Sequence, residues 1–166
     1  MSRSGAEFSE CGSYRYALWR SWDNALPSVM FVSLNPSIAD DQREDPTLIR
    51  CINFARAWGY GAILIGNLFA GISTDPKNIR YMSDPVGKDN DSWLQKMAEI
   101  AEIKIAAWGN HGHYHGRDSK ILQMMAPIPA ESSSLAIINS NVMGERSIFR
   151  NRVVVDSSIA VHNSDL

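Results

Sequence analysis

Polar residues that could bind or cleave a small ligand follow three apolar segments of β type. Asn35, Asn67 and the stretch 109–115 each come directly after such a segment. An asparagine side chain carries both a hydrogen-bond donor and an acceptor, and an imidazole can donate a proton or bind a metal. In an open α/β sheet, ligands bind outside the carboxyl ends of the strands. We therefore expect Asn35, Asn67 and His111 to lie around one pocket at one rim of one sheet.

Three histidines alternate within the last of these stretches. A spacing of two would place His111, His113 and His115 on one face if the segment were extended. Three imidazoles can hold a catalytic zinc with one open position. Glycines within the run instead indicate an irregular loop, and no cysteine pair accompanies it. We therefore expect no metal and no cofactor, with a three-histidine zinc site as the alternative.

Composition predicts a single domain over 1–166, with a core at about 11–142 and a tail over 143–166. The net charge of −2 gives no global nucleic-acid signature, so DNA binding would need a local basic patch. Two cysteines do not make a disulfide framework, and no apolar run could span a bilayer. The first ten residues lack the apolar region of a secretory signal. These features predict a cytoplasmic protein with no membrane partner and no obligate protein partner.

Strand and helix signals alternate along the chain. Asp45 and Pro46 form a helix start between two apolar strands, which predicts a βαβ unit with a parallel pair. The expected architecture is a three-layer α/β/α sandwich with a mostly parallel central sheet. The predicted strands are 14–22 (at an edge), 29–34, 62–69, 104–108, 134–142 and 151–155; the predicted helices are 46–58 with Leu48, Cys51, Ile52, Ala55 and Trp58 inward, 89–103 with Trp93, Met97, Ile100 and Ala101 inward, and 119–125.

Several rare motifs occur in the order seen in a bacterial and phage family of unknown function. They include LNPSIADD (34–41), NLFA (67–70), DPVGKDND (84–91) and AWGNHG (107–112). Together with YRYALWRSWD and EDPTLIRCINFARAWGYG, they make the chain resemble that family closely over about residues 11–125.

The order of signals also resembles, more distantly, the uracil-DNA glycosylase superfamily. In that superfamily one strand ends in Asp-Pro or Asn-Pro, a later strand ends in an Asn that reads the base, and another ends in Trp-Gly. A uracil-DNA glycosylase-like fold is what this resemblance implies. The matching residues here are Asn35-Pro36, Asn67 and Trp108-Gly109.

One motif of that superfamily has no counterpart in this chain. It is a His-Pro near a strand end, which supplies a histidine that stabilises the leaving base and a loop that enters the minor groove. Residues 126–166 match neither family. Either another residue replaces that histidine, with His111 as the first choice, or the C-terminal part is divergent.

The resemblance implies roles for two asparagines and two carboxylates, each with a simpler alternative. Asn35 would orient the attacking water, or it forms an Asx turn ahead of Pro36. Asn67 would read a pyrimidine edge through a bidentate contact, or it caps its strand. Asp40 or Asp41 would activate the water or offset the cationic sugar, or they cap the following turn.

Further residues would line the site or contact DNA. Phe69 follows Asn67 by two and would point to the same side of an extended segment, as a platform for a base or as part of the core. Basic residues near the strand ends would contact phosphate, or they form a solvated surface. The substrate-binding set is Pro36, Ser37, Asn67, Phe69, Trp108 and Gly109, and the phosphate-binding set is Arg43, Arg117 and Lys120.

Three functions follow from these patterns. The first is a DNA glycosylase that flips out a modified pyrimidine, either a hypermodified phage base or deaminated cytosine, in phage defence or DNA repair. The second is a non-catalytic module that binds a modified base or a nucleotide. The third is a metal-dependent hydrolase of a nucleotide-like small molecule.

Overall fold

The structure is a computed structural model that describes residues 4–37, 46–125, 134–138 and 152–154. Among these residues, no helix is long and apolar enough to cross a membrane. Two short 3-10 helices cover Pro76–Tyr81 and Gly109–Gly116. The strands are β1 (Ser4–Phe8), β2 (Arg15–Ser21), β3 (Ser28–Ser33), β4 (Ala62–Asn67), β5 (Ile103–Ala106), β6 (Ser134–Ile138) and β7 (Arg152–Val154), and the α-helices are α1 (Pro46–Ala57), α2 (Asn90–Ile100) and α3 (Arg117–Met125).

The chain forms a mixed α/β fold around one sheet with the strand order β1-β2-β4-β3-β5-β6-β7. The pairs β3·β4, β3·β5 and β5·β6 are parallel, and the pairs β1·β2, β2·β4 and β6·β7 are antiparallel. The expectation of a mostly parallel sheet is therefore wrong, because both edges are antiparallel. The expected edge strand over 14–22 is internal, since β1 covers its outer side.

Helix α1 packs against one face of the sheet with the stripe that the sequence predicts. Leu48, Cys51 and Ile52 are buried in one cluster with Phe31 and Ile63 of the sheet. Asp45, the predicted N-cap, lies outside the described residues. The crossover from β3 through α1 to β4 is the expected βαβ unit, and β3 and β4 are parallel.

Helices α2 and α3 contribute to a second cluster, which is built on the other side chains of the same strands. Alternate residues of a strand point to opposite faces, so Met30 lies in this cluster while its neighbour Phe31 lies in the first. The inward stripe of α2 agrees with the prediction at Met97 and at the following Ala101, both of which are buried. It also contains Asn90 and Leu94, which were not predicted. Ile100 is 51% exposed. Asn90 is a buried polar residue of this stripe, and a pattern of apolar residues could not reveal it.

The carboxyl ends of β3, β4 and β5 meet at one rim. Ser33 pairs with Asn67 in the register of β3 and β4. The backbone contacts continue beyond the strands, because Leu68 N donates to Ser33 O at 2.9 Å and Phe69 N donates to Leu34 O at 3.0 Å. The residues that follow these strands are therefore held against each other, as the strand signals predict.

Candidate functional site

A polar cavity of about 230 Å³ lies at this rim, and we call it the Asn67 cavity. Asn67 is 2% exposed, and its Nδ2 has no hydrogen-bond partner among the described residues. A buried amide N–H without a partner costs about 1–3 kcal/mol, so it calls for an explanation. Asn67 lies in the cavity wall, so its amide is a candidate donor to a group bound there. The other lining residues include Arg15, Ser33, Asn35, Ser37, Thr47, Ser73 and Thr74.

Asn35 lines the same cavity, but its amide nitrogen is already used. Its Nδ2 donates to Ser73 O at 2.8 Å and to Pro36 O at 3.0 Å. Ser73 N also donates to Pro36 O, at 3.0 Å. Asn35 therefore ties the segment after β3 to the segment after β4. Only its carbonyl oxygen is left to orient a ligand or a water.

The end of β4 is held in place by two buried polar side chains. Asn90 is fully buried, and its Nδ2 donates to Asn67 O and to Leu68 O, both at 3.1 Å. Arg117 is 3% exposed, and its Nε donates to Leu68 O at 3.0 Å. These bonds fix the backbone that carries the Asn67 amide. Sequence reasoning missed Asn90, although the polar residue at the start of an amphipathic helix in DPVGKDND was a signal.

Arg117 is not a phosphate contact, contrary to the expectation for its basic side chain. Its guanidinium is buried and pairs with Asp91 at 2.7 Å. Lys120 is exposed and contacts the other carboxylate oxygen of Asp91, also at 2.7 Å. Burial raises the pKa of Asp91, but the hydrogen bonds and charges of Arg117 and Lys120 outweigh it and hold the pKa below its usual value.

A second cavity, of about 260 Å³, lies beside the first, and we call it the Tyr114 cavity. It is lined by Phe69 and His111 and shares Leu34 and Pro76 with the Asn67 cavity. The single pocket expected for Asn35, Asn67 and His111 is thus divided between two cavities. Phe69 does not face the same space as Asn67, because β4 ends at Asn67 and strand alternation stops there.

The histidine stretch is helical rather than extended. It forms 3-10 turns over Gly109–Gly116, with a left-handed residue at His115 (φ 55°). The imidazole of His113 contacts the Asp118 carboxylate, and that of His115 packs against Tyr114. Within the described ranges, no three His, Cys, Asp or Glu side chains are grouped as a metal site would need. His111, His113 and His115 are therefore not brought together as the zinc alternative requires, because the extended conformation that it assumes does not form.

The other predicted residues fall into three groups. Ser37 lines the Asn67 cavity and Pro36 is buried beside it. Trp108 packs against the core cluster of α2 and α3, and Gly109 supplies a positive φ of 69° for the turn after β5, so this pair has a structural role here. Asp40, Asp41 and Arg43 lie outside the described residues.

Arg15 is the second residue that sequence reasoning missed. It begins β2, is 4% exposed and lines the Asn67 cavity. The segment 14–22 was predicted as an edge strand with no role for Arg15, and the pairing of β2 with β4 brings Arg15 to the rim. A buried guanidinium offers several N–H donors in a fixed plane. The Asn67 cavity therefore has a positive group as well as an amide.

These features define a mixed α/β protein with a polar cavity at the ends of its parallel strands. The family described as "Protein of unknown function (DUF1643)" matches residues 15–144, and the chain belongs to it. This confirms the predicted membership in a family of unknown function. Comparison with curated proteins gives no match, and comparison with solved structures gives none either.

Proposed function

We propose that the Asn67 cavity binds a single pyrimidine base that has been turned out of a DNA strand. The observation that carries this proposal is the buried Nδ2 of Asn67, which has no partner among the described residues and lies in the cavity wall. A pyrimidine edge presents carbonyl acceptors and ring nitrogens in one plane, and an amide can pair with two of them.

The size and the lining of the cavity support this assignment. An apolar cavity of ~150 Å³ holds a six-membered aromatic ring, so about 230 Å³ is enough for a pyrimidine with a substituent. The hydroxyls of Ser33 and Thr47 offer further hydrogen bonds. Leu18 and Ile65 supply apolar contacts for the faces of a ring.

We further propose that the protein is a DNA glycosylase with the three-layer, uracil-DNA glycosylase-like architecture that the motif order suggests. Water would attack the sugar carbon while the N-glycosidic bond breaks and the base leaves as an anion. Arg15 lies in the cavity and would supply a cationic donor for that anion. It would thereby stabilise the leaving base, which is the role of the histidine in the His-Pro motif that this chain lacks. The substrate would be a modified pyrimidine, either a hypermodified phage base or deaminated cytosine, in cytoplasmic phage defence or DNA repair.

The carboxylate in this proposal is Asp40 or Asp41. Ser37 and Thr47, which flank residues 38–45 in the sequence, both line the Asn67 cavity. Asp40→Asn or Asp41→Asn should slow base release at least ~10²-fold with DNA affinity nearly unchanged, since the interaction is made mainly in the transition state. Full activity in both variants would remove the carboxylates from the mechanism.

Release of free base from single-stranded oligonucleotides that carry different modified pyrimidines tests the proposal directly. Wild type should release one class of base, and Asn67→Ala should lose about 1–3 kcal/mol of discrimination between pyrimidines. Asn53→Ala, an exposed asparagine on α1, is the matched control. No release of any base would reject the glycosylase, and equal discrimination in Asn67→Ala would reject the base assignment.

A non-catalytic base-binding module is the second candidate. The observation that favours it is the use of the Asn35 amide nitrogen in bracing two segments, so part of the predicted water-binding group is occupied. This candidate predicts base-specific DNA binding that depends on Asn67, without base release by the wild type. The same oligonucleotides, measured for binding and for release, separate the two.

A further inference from the structure

The Tyr114 cavity has an aromatic and apolar interior. Leu34, Phe69 and Ile79 lie in its lining, and Tyr114 forms another side, with its ring centroid 5.8 Å from that of Phe69. Tyr81 also lines it and is 87% exposed. An exposed tyrosine at a cavity edge offers a free ring face, on which a nucleobase of any type can stack.

Within the part of the chain that the structure describes, the charged side chains that line this cavity are basic. Lys77 and Arg80 carry positive charge there, His111 lies beside them, and none of the described lining residues is a carboxylate. The Arg80 guanidinium lies 5.8 Å from the centre of the Tyr114 ring, and Tyr114 Oη donates to Arg80 O at 3.4 Å. The aromatic ring and the cation are therefore held together. This combination suits a ligand with a flat ring and a negative charge, as a nucleotide has.

The two cavities are neighbours at the same rim. Leu34 and Pro76 line both of them, so ligand groups in the two cavities would lie on either side of this shared wall. The Asn67 cavity supplies amide and hydroxyl groups for a base edge, whereas the Tyr114 cavity supplies rings and positive charge. Two different parts of one ligand would match these two linings.

We propose that the Tyr114 cavity binds the nucleotide adjacent to the one whose base enters the Asn67 cavity. This inference rests on the proposed function, and it names the substrate class as an unpaired DNA strand of at least two nucleotides. The adjacent base stacks on Tyr81 or Tyr114, and Lys77 and Arg80 contact the phosphate that joins the two nucleotides. A free nucleoside or a closed duplex would leave this cavity unused.

Binding of thymidine monophosphate, of the dinucleotide d(TpT) and of d(T)₅ to the full chain tests the proposal. In wild type, affinity should rise at least ~10-fold from the monophosphate to the dinucleotide. Tyr81→Ala should lose about 5- to 100-fold in affinity for d(T)₅, the range of one base-to-ring stack. Lys77→Ala and Arg80→Ala should each flatten the salt dependence of d(T)₅ binding by about 0.7 in log–log slope. Lys96→Ala, an exposed cation on α2 that contacts Trp93, is the control.

The proposal would be overturned if Lys96→Ala and Arg80→Ala reduced the salt dependence of d(T)₅ binding equally. It would also be overturned if wild type bound the monophosphate as tightly as d(T)₅. Tighter binding of a blunt duplex than of d(T)₅ would show that the substrate is not an unpaired strand. Asn67→Ala distinguishes this failure from that of the proposed function. If Asn67→Ala does not change discrimination between pyrimidines but the Tyr81 and Arg80 effects persist, the base assignment fails while the strand site stands.

Discussion

Arg15 and Asn67 enter one cavity from neighbouring strands, and each would contact a bound base in a different way. Under the proposed function, the neutral amide of Asn67 would read the base. The positive charge of Arg15 would stabilise the base more strongly as the base becomes an anion. Removing a donor to a developing anion costs about 10²–10³-fold in rate. The two residues should therefore have different effects on specificity and on rate.

We expect Arg15→Met to slow base release at least ~10²-fold in single-turnover reactions, with little change in which base is released. Arg15→Lys keeps the charge and should recover part of the rate. His111→Ala should have a smaller effect on release, because His111 lines the Tyr114 cavity. A larger decrease in the rate of base release in His111→Ala than in Arg15→Met would show that His111, not Arg15, stabilises the leaving base. Circular dichroism of each variant checks that the fold is kept.

Cys11 is the residue whose reactivity the structure defines best. Its thiol is exposed, and a hydrogen bond between Cys11 Sγ and Ser9 Oγ, with smaller contributions from Ser13, lowers the pKa of Cys11 to about 7. Cys51 is buried in the α1 cluster. Because the thiolate is the reactive form, the alkylation rate of Cys11 should rise through about pH 7, while Cys51 should react only after unfolding. Ser9→Ala should move the midpoint upward; an unchanged midpoint would remove Ser9 as the cause.

At the scale of elements, the start of α2 fixes the end of β4. Asn90 donates to two backbone carbonyls there, and Asp91 holds the guanidinium that donates to one of them. Asn90→Ala leaves the Asn67 carbonyl buried without this donor. We expect a loss of about 1–3 kcal/mol in the free energy of unfolding, measured by urea denaturation. Asn78→Ala, on an exposed turn, should change it by less than ~0.5 kcal/mol.

The same element shows what sequence patterns can and cannot predict. Apolar spacing located α1 and its buried stripe correctly, because that stripe is apolar throughout. For α2, the apolar pattern located the buried Met97 and Ala101 correctly. It placed the exposed Ile100 inward and missed the buried Asn90 at the start of the stripe. Strand β1, which contains Ser4, Gly5 and Glu7, lacks an apolar run and was not predicted. Residues buried for hydrogen bonding leave no hydrophobic signal.

At the scale of the whole molecule, the strand ends were predictable and their division into two cavities was not. The order of strand signals placed Asn35, Asn67 and the histidine stretch at one rim, and they lie there. Which side of the sheet each residue faces depends on where each strand ends. Asn67 is the last residue of β4 and faces the cavity beside α1, whereas Phe69 lies beyond the strand, in the cluster of α2 and α3. A shift of one residue in a strand end changes the face.

The ion pair of Arg117 with Asp91 links the stability of the whole fold to pH. The pKa of Asp91 is lower in the folded chain than its usual value, so folding favours the ionised carboxylate. This contribution is present above the unfolded pKa of about 3.9 and is lost as the pH falls through the lower folded value. We expect the free energy of unfolding to decrease below about pH 4, and Asp91→Asn to flatten that decrease.

Because Arg117 is buried, Asp91→Asn should also lower the free energy of unfolding by about 1.5–3 kcal/mol at pH 7. Lys120→Ala removes an exposed partner and should lower it by less than ~1 kcal/mol. Urea denaturation of wild type and of these two variants, between about pH 2.5 and about pH 7 so that the unfolded pKa is included, measures both effects. A pH profile that Asp91→Asn leaves unchanged would show that other carboxylates control acid unfolding.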